Sequence, residues 1–155
     1  GGNAIDLPRA VRELKACLSK RSLLVGQNPV GDANWMGLMP GIDYAETLDL
    51  AEVFASSSGI RHSLRHEALV LLCREPESSV HDAFWDALAS IDLYRLAAGA
   101  SGKELDKMRE KLTKKEFWPP KPSLAREHGY QIDGVCLSMY NAMHCSCGRP
   151  IRKMR

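Results

Sequence analysis

The sequence predicts an all-α protein with a single domain of about six or seven helices. Apolar residues recur at spacings of three and four along most of the chain, which is the period of a helix that buries one face. Capping residues and Gly or Pro stops bound these segments, and no segment alternates apolar and polar residues as a half-buried strand does. A chain of 155 residues is long enough to bury one sizeable core.

The first helix is expected from Pro8 to Lys20, because Pro8 suits a first helical turn and apolar residues follow at helical spacing. The next stretch, VGQNPVGDANWMGLMPGI, contains four glycines and two prolines. This composition predicts a long loop rich in Gly and Pro, with Trp35, Met36 and Met39 packed against the core.

Two helices are expected in the middle of the chain. Asp43 with Glu46 three residues later predicts the start of one, which ends at a Ser-Gly stop. The stretch SGIRHSLRHEALVLLCRE predicts the next, and Pro76 ends it.

The longest predicted helix begins at Ser78 or Ser79 and ends at Gly99. It carries a line of large apolar residues that we expect to face the core, namely Val80, Phe84, Leu88, Ile91 and Leu96.

The last third begins with a charged helix and continues through prolines. Ser101 and Glu104 form a capping box at the start of the charged helix. The segment FWPPKPS predicts an extended, Pro-rich strut that precedes the last helices. Those helices are expected at 123–128 and at 133–143.

The expected domain organisation has three parts: residues 1–2 as an expression remnant, 3–144 as the helical domain and 145–155 as a Cys-containing basic tail. The longest apolar run, ALVLLC, is too short to cross a bilayer, so no membrane partner is expected. Five cysteines, an odd and modest number, favour a reducing intracellular compartment, the cytoplasm or the nucleus.

Charge is unevenly distributed along the chain. Residues 43–92 contain ten acidic and three basic residues, whereas residues 103–155 contain twelve basic and six acidic residues. Such polarity can orient a molecule on a charged partner, and the alternative is that helix faces of opposite sign are merely solvated.

The closing stretch HCSC predicts a zinc site, because two thiolates near a glycine resemble half of a zinc knuckle. His62 and His66 are four residues apart on one helix face and can complete a closed tetrahedral site that staples the tail. The alternative is that both histidines are exposed polar residues and that Cys73 is a small core residue. The predicted ligands are His62, His66, Cys145 and Cys147, with Cys73, Cys136 and His144 as alternates.

Basic residues of the last third are candidates for contact with RNA or DNA, and Trp118 and Tyr130 can stack on bases. The candidate contacts are Lys111, Lys114, Lys115, Lys121, Arg126, Arg149, Arg152 and Lys153.

No catalytic set is evident in the sequence. The inverted zinc-protease motif H-x-x-E-H fails because Arg65 occupies the position that needs glutamate. We therefore expect a non-enzymatic helical interaction module, a piece of a larger protein, that docks a protein partner. The alternatives are a nucleic-acid-binding cofactor and, less favoured, a cysteine- or metal-dependent hydrolase.

Overall fold

The computed structural model describes residues 5–76 and 82–127, which form a mainly helical structure with one small sheet. The elements in chain order are α1 (Leu7–Cys17), β1 (Leu23–Gly26), α2 (Pro29–Met36), β2 (Glu46–Asp49), α3 (Leu50–Val53), α4 (Leu64–Leu72), α5 (Ala83–Ala98), α6 (Gly102–Leu112), a 3-10 turn (Lys115–Phe117) and α7 (Leu124–Glu127). Within these residues no helix is both long and apolar enough to span a membrane. The predicted helix at 133–143 and the tail lie outside the described ranges.

The prediction of a mainly helical domain is confirmed, and the structure adds a small sheet that was not predicted, in which β1 and β2 pair as parallel strands. Each strand has four residues, too few for an alternating pattern to stand out. Parallel strands need a crossover connection, and α2 lies between them in sequence. The expected long loop therefore contains the end of β1 and the whole of α2.

Helix α2 begins and ends at left-handed residues. Asn28 has a φ of 55° and Pro29 opens the helix, while Gly37 ends it with a φ of 66°. Trp35 is 47% exposed and Met39 is 50% exposed, so the prediction that both pack against the core is wrong.

The predicted helix start at Asp43 is also wrong. The Asp43 carboxylate accepts hydrogen bonds from the Met39 amide at 2.8 Å and from Lys15 Nζ at 3.0 Å, and these contacts lower the pKa of Asp43. The side chain thus ties α1 to the segment before β2 instead of capping a helix.

Local capping sets several helix boundaries. Asp6 accepts a hydrogen bond from the Arg9 amide at the start of α1, where Pro8 lies in the first turn as expected. The capping box of Ser101 and Glu104 opens α6 and is confirmed. Ser63 caps α4 by accepting from the His66 amide.

Helix α5 ends at Gly99 as predicted, but its start and its buried face differ from the prediction. Asp82, rather than Ser78 or Ser79, accepts the hydrogen bond that caps it. Its buried residues are Ala89, Ser90 and Leu93. The predicted core residues Phe84, Leu88 and Ile91 are exposed.

The main core lies where α3, α4, α5 and α6 meet, and α5 also packs against β1. Its fully buried side chains are Leu50, Phe54, Val70, Leu93 and Leu112. A second, smaller cluster of Ala33, Leu38 and Tyr44 packs against apolar residues of α1, β1 and α2. The core places the carboxyl end of the sheet next to α4.

Candidate functional site

The two histidines predicted as zinc ligands lie side by side at the N-terminal end of α4. Their ring centroids are 4.8 Å apart, and both residues are buried, with 5% of His62 and none of His66 exposed. The alternative interpretation, in which both are exposed polar residues, is therefore wrong.

The ring of His66 bonds two other segments of the chain. The Lys121 amide donates to His66 Nδ1 at 3.1 Å, so Nε2 carries the proton and donates to the Leu112 carbonyl oxygen at 2.9 Å. Ser63 Oγ donates to the Lys121 carbonyl oxygen at 2.7 Å, which fixes the strut further. His66 joins α4 to the end of α6 and to the Pro-rich strut, and in this arrangement neither ring nitrogen has a free lone pair for a metal ion.

His62 differs from His66, because both of its ring nitrogens are buried and have no hydrogen-bond partner. Burial, and secondly the neighbouring His66, lower the pKa of His62. The ring is therefore neutral at pH 7 and can serve as a metal ligand.

The other predicted zinc ligands do not join this pair within the described structure. Cys73 is exposed just beyond the C-terminal end of α4, and the nine residues of that helix rise about 13 Å. The predicted helix face shared by His62 and Cys73 is wrong, because His62 precedes α4 and Cys73 follows it, so Cys73 does not reach an ion held by His62. In the described ranges no group of three or more His, Cys, Asp or Glu residues is arranged for a metal ion. Cys136, His144, Cys145 and Cys147 lie outside the described residues, so the zinc site stays a prediction.

The candidate nucleic-acid contacts are partly occupied by contacts within the chain. Lys111 Nζ donates to the Val70 carbonyl oxygen at 2.7 Å, and Lys121 Nζ pairs with Glu75 at 3.3 Å. Lys114, Lys115 and Arg126 are exposed. Arg149, Arg152 and Lys153 lie outside the described ranges, so the basic surface also stays a prediction.

A buried acidic group that the sequence interpretation missed lies at the carboxyl end of the sheet. Glu67 is fully buried, and its Oε2 accepts a hydrogen bond from Gln27 Nε2 at 2.7 Å. Its Oε1 is buried without a partner. Burial is the main cause that raises the pKa of Glu67 to about 8, and the charge of Asp49 adds to it, whereas the Gln27 bond opposes it.

The position of this group is the one at which open parallel sheets bind ligands, outside the carboxyl ends of the strands. Gln27 follows β1 directly, and Asp49 is the last residue of β2. Asp32, in the first turn of α2, also has a pKa raised by burial. A sequence signal for Glu67 existed, because its helical neighbours Leu64 and Val70 are apolar and place it on the core face.

Helix α5 presents an apolar outer face that the described core does not cover. Phe84 is 72% exposed, Leu88 45% and Ile91 40%, and spacings of four and three place them on one side of the helix. Exposed Ala87 and Ala98 lie on the same side. A contiguous face of this kind marks an interaction site more often than scattered single apolar residues do.

Comparison of the chain with family models, with curated proteins and with solved structures found no match.

Proposed function

We propose that this chain is a non-enzymatic interaction module that docks a protein partner on the outer face of α5. The observation that carries the proposal is the exposed line of Phe84, Leu88 and Ile91 on the side of α5 opposite Leu93. These residues have the i, i+4, i+7 spacing of helix-in-groove recognition, in which one helix face fills an apolar groove.

The chemistry of this face limits the kind of partner. The small side chains of Ala87 and Ala98 flank the large ones, so another apolar surface can approach the helix closely. Arg95, which pairs with Asp92, is the charged residue at the end of the line. An apolar groove or helix face on the partner suits this surface better than a charged one does.

A second exposed apolar region supports the same class of function. Val30, Met39 and Ile42 are each about half exposed around α2. Val30 also lines a shallow groove with Pro40 and Tyr44. This region is apolar and exposed as well, although α5 presents the more regular pattern.

Site-specific photocrosslinking tests the proposal. A photoreactive benzoylphenylalanine is placed at Leu88, and in a matched chain at Lys107 on the exposed side of α6, and both chains are expressed in their natural cells. We expect a discrete crosslinked product from position 88 that position 107 does not give. Ile91→Glu in the position-88 chain should remove the product, with circular dichroism confirming an unchanged fold.

A product whose mass equals two copies of the chain would identify the partner as a second copy. If position 88 gives no product, or gives the same products as position 107, α5 is not a docking face and the proposal is wrong.

The alternative function, RNA or DNA binding by the basic last third, has a separate test. Binding that weakens steeply as salt increases would support it, and no binding at low salt would remove it.

A further inference from the structure

Two carboxyl groups and one amide meet at the carboxyl end of the sheet. Gly26 and Asp49 are partners in the strand register, so Gln27 and Asp49 lie at the same end of the parallel pair. The hydrogen bond from Gln27 Nε2 to Glu67 Oε2 at 2.7 Å brings the acid of α4 to this end. The charge of Asp49 is the smallest of the causes that act on the pKa of Glu67.

The oxygen atoms of this group are only partly used by the protein. The Glu67 side chain is fully buried, and its Oε1 atom accepts no hydrogen bond. Asp49 Oδ1 accepts from the Ala51 amide at 3.0 Å. Gln27 uses its nitrogen toward Glu67, so its carbonyl oxygen is not engaged by this carboxyl group. Across the described ranges neither Asp49 nor Glu67 forms an ion pair with a basic side chain.

A buried acceptor without a partner is rare in folded proteins and calls for a specific explanation. Burying the Glu67 carboxyl group near a second carboxyl group is unfavourable unless the charge is compensated, and a proton on Glu67 compensates its own charge. A divalent cation compensates both. Asp49 and Gln27 are partly exposed, so the side of the group that they form is open to solvent.

We propose that Glu67, Asp49 and Gln27 form a binding site for a divalent cation that prefers oxygen ligands, of the Mg²⁺ class. Carboxylate and amide oxygens suit Mg²⁺ and Mn²⁺, whereas zinc favours nitrogen and sulfur. Three protein ligands leave coordination positions for water, which Mg²⁺ usually keeps. This site is separate from the predicted zinc site of the tail, and it does not depend on the docking face of α5.

Calorimetric titration of the full, metal-stripped chain with MgCl₂ and with MnCl₂ tests the site. We expect one ion per chain. Glu67→Gln and Asp49→Asn should each weaken the affinity roughly tenfold or more, since each removes one anionic ligand. Asparagine is also a good N-cap, so Asp49→Asn keeps the start of α3. Paramagnetic Mn²⁺ should broaden the side-chain amide signals of Gln27 in NMR spectra.

Variants of two other acidic residues, Asp43 and Asp32, test whether cation binding is specific to the proposed site. Asp43, which is already paired with Lys15, provides the matched control, and Asp43→Asn should leave the affinity unchanged. The proposal is overturned if neither salt binds, because a water molecule then satisfies Glu67. It is equally overturned if Glu67→Gln keeps full affinity, or if Asp32→Asn alone abolishes binding. Circular dichroism shows whether each variant is folded, and Glu67→Gln keeps the shape of the side chain while it removes a buried ionisable group, so it is expected to fold.

Discussion

Replacing Glu67 with glutamine should stabilise the protein at neutral pH. The side chain is fully buried, and its pKa is raised from 4.5 to about 8. In the folded state the group keeps its proton at pH 7, whereas in the unfolded chain it ionises. Because the pKa of Glu67 is higher in the folded than in the unfolded state, the stability that this group contributes is fully present below about pH 4.5, its unfolded pKa. That stability is lost as the pH rises through about 8, its folded pKa.

The size of this loss follows from the pKa difference. One pKa unit corresponds to about 1.4 kcal/mol. Raising the pH from the unfolded pKa of Glu67 to pH 7 therefore lowers the free energy of unfolding by about 3 kcal/mol. Over the whole range from the unfolded to the folded pKa, the free energy of unfolding falls by about 5 kcal/mol. Glutamine has nearly the same shape, accepts the hydrogen bond from Gln27 and cannot ionise. Glu67→Gln should therefore equal the wild type near about pH 4 and exceed it by about 3 kcal/mol at pH 7.

Urea denaturation followed by tryptophan fluorescence, repeated from acid to mildly alkaline pH in the absence of divalent cations, measures this difference. Glu110→Gln, on the exposed side of α6, changes the net charge equally and should follow the wild-type curve. The reasoning is refuted if the free energies of unfolding of Glu67→Gln and the wild type differ by the same amount at every pH measured.

Three further predictions concern the core, the outer face of α5 and the tail. His66→Gln should lower the free energy of unfolding by about 2–4 kcal/mol in urea titrations, because it disturbs one buried and one partly buried hydrogen bond, and an unchanged value would contradict the bridging role. Leu88→Glu should change stability by less than about 0.5 kcal/mol, whereas Leu93→Ala should cost about 2–5 kcal/mol; similar values for both would contradict the assigned faces. Elemental analysis of untagged protein should find close to one zinc per chain and none after Cys145→Ser with Cys147→Ser, and zinc that survives both substitutions would show that other residues bind it.

Part of the candidate site could be predicted from the sequence and part could not. The spacing of His62 and His66 predicted that the two rings lie side by side on one helix face. The rings are neighbours, but His62 precedes the N-cap Ser63 and is not on the helix. It could not predict that the Lys121 amide occupies one ring nitrogen of His66, because that contact joins residues 55 positions apart. Glu67 was missed because it becomes a site residue only when β1 and β2 bring Gln27 and Asp49 to it.

Sequence alone determined the features that depend on three or four consecutive residues. The capping box of Ser101 and Glu104, the proline in the first turn of α1 and the glycine after α5 are interactions within one turn, so they form wherever the chain is helical. The predominance of helix follows from the same local preferences.

Tertiary structure alone decided which faces are buried and where the chain is extended. The line of Phe84, Leu88 and Ile91 has the spacing of a core face, yet α4 and β1 pack on the opposite side, around Leu93. The parallel pairing of β1 with β2 joins residues about 23 positions apart, and four-residue strands carry no periodicity of their own. A periodic pattern shows that a helix has an apolar face, but whether that face meets the core or a partner depends on the surface that the rest of the chain offers to it.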